Sequence, residues 1–401
     1  MPRVLRILNR LIIGGPAIHV SYLTRYMDGF DTQLVIGGKD DHEEDATHLT
    51  DKLGIQPSYV PHMKRAINPL NDRIAYNEIK TLIEKFRPDI VHTHAAKAGL
   101  IGRMAAEACN VPVILHTFHG HVFHSYFNKL QTESFILIER YLAKKSSGII
   151  AISQKQKEDL VNVYKICEEE KVETIPLGLE LEAFLQEPDS KRASFRKKFL
   201  IEDDEIAIGI IGRIVPVKNH NLFVKAAEAV LKKTNKKLKF VVVGDGDMRA
   251  QMEQEFRRSK INYCYFPEQP FAATAICTSW LTKIDEVLAG LDIVALTSHN
   301  EGTPLSLIEA QAAEKPVIAT NVGGVTDVVM HERAGIVVQP NDVEDFANGL
   351  LRLVEDPELR NRMGAFGRDR VINQYSYQRL VKDMSNYYLR LLEEKRFSYA
   401  R

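Results

Sequence analysis

The sequence predicts an α/β protein of two doubly wound domains, each a parallel sheet with helices on both faces, facing a central cleft. Three observations predict it. Short apolar runs alternate with longer amphipathic stretches, the pattern of strands joined by crossover helices. That alternation occurs twice, on either side of a charged stretch near residues 180–200 with no strand pattern. At 401 residues the chain also exceeds the length at which one hydrophobic core keeps growing.

The strands of the first half are read at 4–8 (VLRIL), 32–37 (TQLVIG), 89–94 (DIVHTH), 111–117 (VPVILHT), 148–153 (GIIAIS) and 171–176 (KVETIP). Amphipathic helical patterns lie between them at 71–86, 97–109, 130–145 and 154–164. The second half repeats the order with strands at 206–212, 238–244, 261–266, 291–297 and 315–320. The expected division is residues 1–185 and 186–375. Residues from about 376 to 401 form a helix whose stripe of Tyr387, Tyr388, Leu389, Leu391 and Leu392 must be buried, and the first domain is one place for it.

Charge balances at 53 Lys+Arg against 53 Asp+Glu, so no global field favours a nucleic-acid partner. Cys109, Cys167, Cys264 and Cys277 are far apart with no C-x-x-C pair, which predicts free thiols in a reducing compartment. Arg3, Arg6 and Arg10 interrupt the first apolar run, which is too short for a signal core, and no run is long enough to span a bilayer. A cytoplasmic protein is expected.

Several stretches carry chemistry. In SHNEGTPLSLIEA (298–310) a buried strand hands over to a helix. Pro304 suits the first helical turn, where its missing N–H would have no partner, and the free amides near Leu305 and Ser306 favour an anion. Glu301 before the helix and Glu309 on it are good acceptors for sugar hydroxyls; otherwise Glu301 caps the helix and Glu309 is a solvated surface group. In IAIGIIGRIVPVKNH (206–220), Arg213 and Lys218 precede a helix that starts near Asn219 or His220. Cations there oppose the helix dipole unless an anion lies between, so they are either diphosphate ligands or solvated loop charges.

Gly14-Gly15-Pro16 is half of a phosphate-binding turn or simply a tight strand-to-helix turn. His116, His119, His121 and His124 crowd one strand end, yet no carboxylate or cysteine stands at metal-ligand spacing beside them. They are substrate-bonding or structural, His119 before Gly120 being the best placed. His92 and His94 share one face of a neighbouring strand end, as structural or acceptor-side groups. Asp245 and Asp247 have the D-x-D spacing of a metal site, but between a strand and a helix they read as turn and cap residues.

Taken together these residues resemble the retaining glycosyltransferases of family 4, whose GT-B fold has two Rossmann-like domains. The resemblance covers essentially the whole chain. Its most specific parts are the E-x7-E pair Glu301/Glu309 within NEGTPLSLIEAQAAEKPVIATNVGGVTDVV and the Arg213/Lys218 pair within GRIVPVKNH; VHTHAAKAGLIGRMAA and HTFHGH are similar to first-domain patterns of enzymes that build bacterial surface polysaccharides. The resemblance implies that Arg213 and Lys218 hold the donor diphosphate, Glu309 the ribose, and Glu301 the transferred sugar. It places Thr303, Leu305 and Ser306 beside sugar or phosphate, His119 on the sugar, and Gly14 and Gly15 near the phosphates. It implies no cofactor and no metal. Ser279 stands where the family carries a glycine, with Trp280 and Leu281 framing the base.

The implied reaction is retaining transfer from a nucleotide diphosphate sugar, a UDP-sugar by this reading, to an acceptor glycan, glycolipid or small metabolite. Tyr126, Phe127, Lys129, Lys144 and Lys145 are either a peripheral contact with the inner face of a membrane or an ordinary solvated face. Alternatives are a sugar-nucleotide epimerase, a phosphorylase lacking a clear cofactor lysine, and a catalytically silent nucleotide-sugar binding subunit.

Overall fold

The computed structural model describes residues 1–12, 14–39, 45–120, 129–268 and 271–399, without the side chains of 129–131 and 397–399. The chain forms two compact units, one of Met1–Leu179 with Tyr375–Arg401 and one of Glu180–Gln374.

The first unit holds seven strands: β1 Arg3–Leu8, β2 Asp31–Gly37, β3 Ser58–Val60, β4 Ile90–His94, β5 Val113–Phe118, β6 Gly148–Ala151 and β7 Val172–Thr174. They form one sheet in the order β3-β2-β1-β4-β5-β6-β7, every pairing parallel. Strands covered on both faces are mainly apolar, and β4, β5 and β6 are buried at every position, the histidines and threonines of β4 and β5 included. The order reverses between β1 and β4, and their register sets Leu8 beside His94 and His94 beside Thr117. A doubly wound sheet binds ligands outside the carboxyl ends of its strands at such a reversal.

The helix Tyr377–Tyr399 packs on this sheet: Leu380, Met384, Tyr387, Tyr388 and Leu391 join Val4, Ile90, Val113, Leu115 and Ile150 in one buried cluster. Tyr388 is fully buried, and its hydroxyl bonds His92 Nδ1 at 2.6 Å. Leu389, expected in the same stripe, is exposed instead, because it lies one residue round the helix from Tyr388 and turns away from the sheet.

The second unit has β8 Ile206–Ile211, β9 Leu238–Val243, β10 Tyr263–Tyr265, β11 Ala275–Cys277, β12 Ile293–Leu296, β13 Val317–Thr320 and β14 Gly335–Val338. Its parallel sheet runs β10-β11-β9-β8-β12-β13-β14, reversing between β8 and β12. The helices His220–Leu231 and Val343–Glu355 supply Phe223, Val230, Phe346, Leu350 and Leu353 to its core.

Three strands differ from the sequence reading. β3, β11 and β14, of three, three and four residues, were not anticipated. Each is too short to show a period, and tertiary pairing makes it a strand. The stretch 154–164 is an α-turn Gln154–Glu158 continued as a π-helical segment, Asp159–Val163.

Candidate active site

The second unit brings the chemistry-bearing loops together at its sheet reversal. β8 and β12 are neighbours, with Ile210 beside Ala295, so the segments after them, Gly212–Lys218 and Thr297–Glu301, leave the sheet side by side. Two hydrogen bonds tie these segments: Thr297 Oγ1 donates to the Lys218 carbonyl at 2.9 Å, and the His299 amide to the Val217 carbonyl at 2.8 Å.

That tie places Lys218 Nζ 2.6 Å from Glu301 Oε1, and Ser298 Oγ donates to the same oxygen at 2.5 Å. The side chains are only 24% and 10% exposed, so the pair is largely out of water. Glu301 therefore does not cap the next helix, which has no side-chain cap. Arg213, five residues earlier, is exposed and has no side-chain partner among the described residues. One carboxylate neutralises one of two cations and leaves the other unmatched, an arrangement that favours an incoming anion.

Gly323 braces the Glu301 backbone. Its φ is +50°, and an added Cβ would overlap the Glu301 carbonyl oxygen. The Gly324 amide donates to that carbonyl at 3.2 Å. Gly323→Ala is expected to cost about 1–3 kcal/mol of stability through its backbone alone and to displace the Glu301 loop. Denaturant unfolding alongside turnover checks this; an unchanged unfolding midpoint with full activity contradicts it.

The helix Leu305–Ala312 begins one residue later than the sequence suggests, with Pro304 at the cap position and not in the first turn. Its first amides, from Leu305 and Ser306, have no side-chain cap. The buried Thr303 hydroxyl is also unpartnered. Glu309 is half-buried, not a freely solvated surface group, and desolvation pushes its carboxyl up to about 7. It has no side-chain partner among the described residues, so a hydroxyl-bearing ligand would meet its unmet bonding capacity.

Ser279 adopts φ +56°, the left-handed region that glycine enters freely, and its carbonyl accepts from the Gly244 amide at 2.9 Å. Beyond it Trp280 is exposed and Leu281 half-buried. Asp245 is engaged in its own turn: Oδ1 accepts from the Gly246 amide at 2.8 Å and Oδ2 from Ser279 Oγ at 3.2 Å.

In the first unit, Gly14 and Gly15 lead into the helix Gly15–Tyr26, which has no side-chain N-cap. His119 follows β5, half-buried, with Nε2 2.9 Å from His94 Nδ1; burial lowers its imidazole to about 3. His92 lines no open edge: it is fully buried between the Tyr388 and Thr117 hydroxyls. His116 is likewise interior, bonded to Thr93 Oγ1 at 2.8 Å. His121, His124, Tyr126 and Phe127 lie outside the described residues. Ser298, Gly323 and His19 were not singled out from sequence. The first two sit within the quoted motif stretches; His19 is marked by nothing but its place on the first helix.

Comparison with known proteins identifies the family and the fold. Residues 191–370 match the family described as glycosyl transferases group 1, and residues 13–183 match glycosyltransferase family 4. An Escherichia coli UDP-Gal:alpha-D-GlcNAc-diphosphoundecaprenol alpha-1,3-galactosyltransferase is 28% identical over 353 residues, 86% of this chain and 87% of that protein. The capsular polysaccharide biosynthesis glycosyltransferase CapM of Staphylococcus aureus is 27% identical over 347 residues, 84% of this chain and 86% of its own. Among solved structures, a Rickettsia africae glycosyltransferase has a TM-score of 0.79 at 20% identity, covering 98% of each chain. Anabaena HepE in complex with UDP has a TM-score of 0.80 at 16% identity, covering 96% of this chain and 99% of its own. At these identities the solved structures establish the fold.

Proposed function

Since the chain belongs to the group 1, family 4 glycosyltransferases and has the GT-B fold, we propose that it transfers a sugar from a UDP-sugar, with retention and without a metal, to a hydroxyl of a surface glycan or its lipid-linked precursor. The observation that carries this is the Lys218–Glu301 pair beside an unpartnered Arg213 at the carboxyl ends of β8 and β12. The bond from the anomeric carbon to the phosphate oxygen breaks as the acceptor oxygen bonds to the same face. The departing phosphate oxygen takes the acceptor proton, so no enzymic nucleophile is needed. Arg213, Lys218 and the amides of Leu305 and Ser306 oppose the charge that grows on the diphosphate. Once a diphosphate draws Lys218 away, Glu301 is free to orient sugar hydroxyls, and Glu309 accepts the ribose. Thr303 lies by sugar or phosphate, and Trp280 and Leu281 by the base. For His119, Gly14 and Gly15 the family resemblance alone is the support.

UDP as the nucleotide is supported by the donor in the Escherichia coli relative's name and the UDP in the HepE structure. The names of the Escherichia coli and Staphylococcus aureus relatives support a lipid-linked or surface-polysaccharide acceptor. Cys109, Cys167, Cys264 and Cys277 are all unpaired, which fits work in the cytoplasm. No described helix is long and apolar enough to cross a membrane. Leu137 and Tyr141, exposed on the helix Lys129–Lys145 with Lys144, suit peripheral contact with the membrane that carries a lipid-linked acceptor.

A thermal-shift series with UDP, GDP and ADP tests the nucleotide. At 100 times its dissociation constant a ligand adds about 2.7 kcal/mol to folding, a rise of several degrees, expected for UDP and not for ADP. No shift with any nucleotide, or a shift with GDP alone, discards the UDP reading. Turnover that persists in EDTA, and a product with the donor's anomeric configuration, are the outcomes expected of the metal-free retaining reaction.

A further inference from the structure

In the first unit, three imidazoles from three separate elements converge at the carboxyl edge of the sheet. His94 ends β4, His119 follows β5, and His19 lies on the helix Gly15–Tyr26 that crosses beside them. One ring nitrogen of each lies within 4.8 Å of the others, the one such three-residue convergence among the described residues. The rings meet edge-on, with His19 5.0 Å from His119 and 5.5 Å from His94 between centroids.

Their bonding is unfinished. His19 is fully buried, and neither of its nitrogens has a partner. His94 Nε2 and His119 Nδ1 are unpartnered as well; the 2.9 Å contact between His94 and His119 uses only one nitrogen of each. Buried polar atoms left unpaired cost about 1–3 kcal/mol apiece, and each neutral imidazole carries one lone pair, so once the His94–His119 contact opens the three rings can offer three lone pairs to one acceptor.

From this geometry we infer that His19, His94 and His119 form a binding site for one borderline divalent ion, Zn2+ or Co2+, which occupies His119 and thereby inhibits sugar transfer. Three imidazoles with no oxygen ligand suit Zn2+, Co2+, Ni2+ or Cu2+, and not Mg2+ or Mn2+. A three-histidine zinc site keeps a fourth position for water or hydroxide. The buried Arg6 guanidinium, whose charge is felt at His19 and His94, works against the ion and limits its affinity. His119, only half-buried, gives the ion its way in.

The metal site stands apart from the donor-side reading; only its inhibitory effect depends on the role proposed for His119. The test is titration of metal-free, full-length protein with Co2+ alone. One equivalent should bind with the intense visible absorption of four-coordinate cobalt, and X-ray absorption of the Zn2+-loaded wild type should show three imidazole nitrogens. His19→Gln should weaken Co2+ by at least about 100-fold, more than the loss of an outer-shell partner, while His331→Ala, an exposed histidine elsewhere, leaves it unchanged. Failure of the wild type to bind one equivalent, or absorption data with fewer than three imidazoles, overturns the site even if His19→Gln does not fold. Metal bound with three imidazoles but without loss of transfer overturns the inhibition and leaves the site standing.

Discussion

Lys218→Met lowers kcat/KM by about 10²–10³-fold, the loss of about 3–4 kcal/mol that follows removal of one group opposing charge in a transition state. Methionine keeps most of the lysine's apolar stem, so the loop stays filled. The change also strands Glu301, which retains Ser298 Oγ but loses its cation. A half-buried carboxylate in that position destabilises the fold by about 1–3 kcal/mol. The two effects separate in the double variant Lys218→Met/Glu301→Gln, where the unpaired charge is gone. Stability should return to near wild type while turnover stays low. Arg213→Ala, exposed and unpaired in the free protein, should cost comparable activity with no change in melting temperature. Near-wild-type turnover in Lys218→Met, or recovery of turnover together with stability in the double variant, removes Lys218 from the chemistry.

The second large effect is in acid. His19, His92, His94, His116 and His119 are all held below the ordinary imidazole range, chiefly by burial. Neighbouring positive charge adds to this: Arg6 acts on His19, His92 and His94, and Arg103 on His116, although Arg103 is itself paired with Glu139. Unfolded, each takes up a proton near pH 6.5, whereas folded it stays neutral. The unfolded state therefore binds more protons below pH 6.5, and stability falls as pH drops through that value. Each histidine contributes about 1.4 kcal/mol per pH unit once the unfolded form is fully protonated, so five give about 7 kcal/mol per unit. That rivals the whole net stability of a domain, about 5–15 kcal/mol.

The first unit should thus unfold near pH 5. In the second, among the described residues, His220 alone is a histidine held low, at about 4. Glu309, raised to about 7, acts in the opposite sense, because its fold gains a proton as pH falls through that value. Hydrogen exchange at pH 5 should show β1, β4 and β5 unprotected while β8 and β9 remain protected. Equal protection of both sheets down to pH 4 contradicts the account.

Most of the architecture could be read from the chain because its long central strands are apolar on both faces and Gly or charged turns punctuate them. What escaped was decided by partners far away in sequence. β11, Ala-Ile-Cys, is a strand because β9 and β10 flank it. In the site, the spacing of Glu301 and Glu309 was visible, yet the sequence left open whether they were a cap and a surface charge. Only the 83-residue reach from Lys218 to Glu301, closed by adjacency of β8 and β12, shows otherwise. Likewise His119 sat among candidates of equal type. Its link to His94 and His19 arises from helix crossing and strand order, which no local pattern encodes.

The helix Tyr377–Tyr399 has a consequence for biosynthesis. Its five interior side chains, each contributing about 1.5–3 kcal/mol, together match the margin by which a domain stays folded. During translation the first sheet thus emerges early but lacks one wall until those residues leave the ribosome. The second unit, with all its parts already made, is free to fold ahead of it. The nascent amino-terminal half spends that interval with only Leu23, Met27 and Phe30 to shield Val4, Ile90 and Val113, the stage at which chaperones or aggregation would claim it.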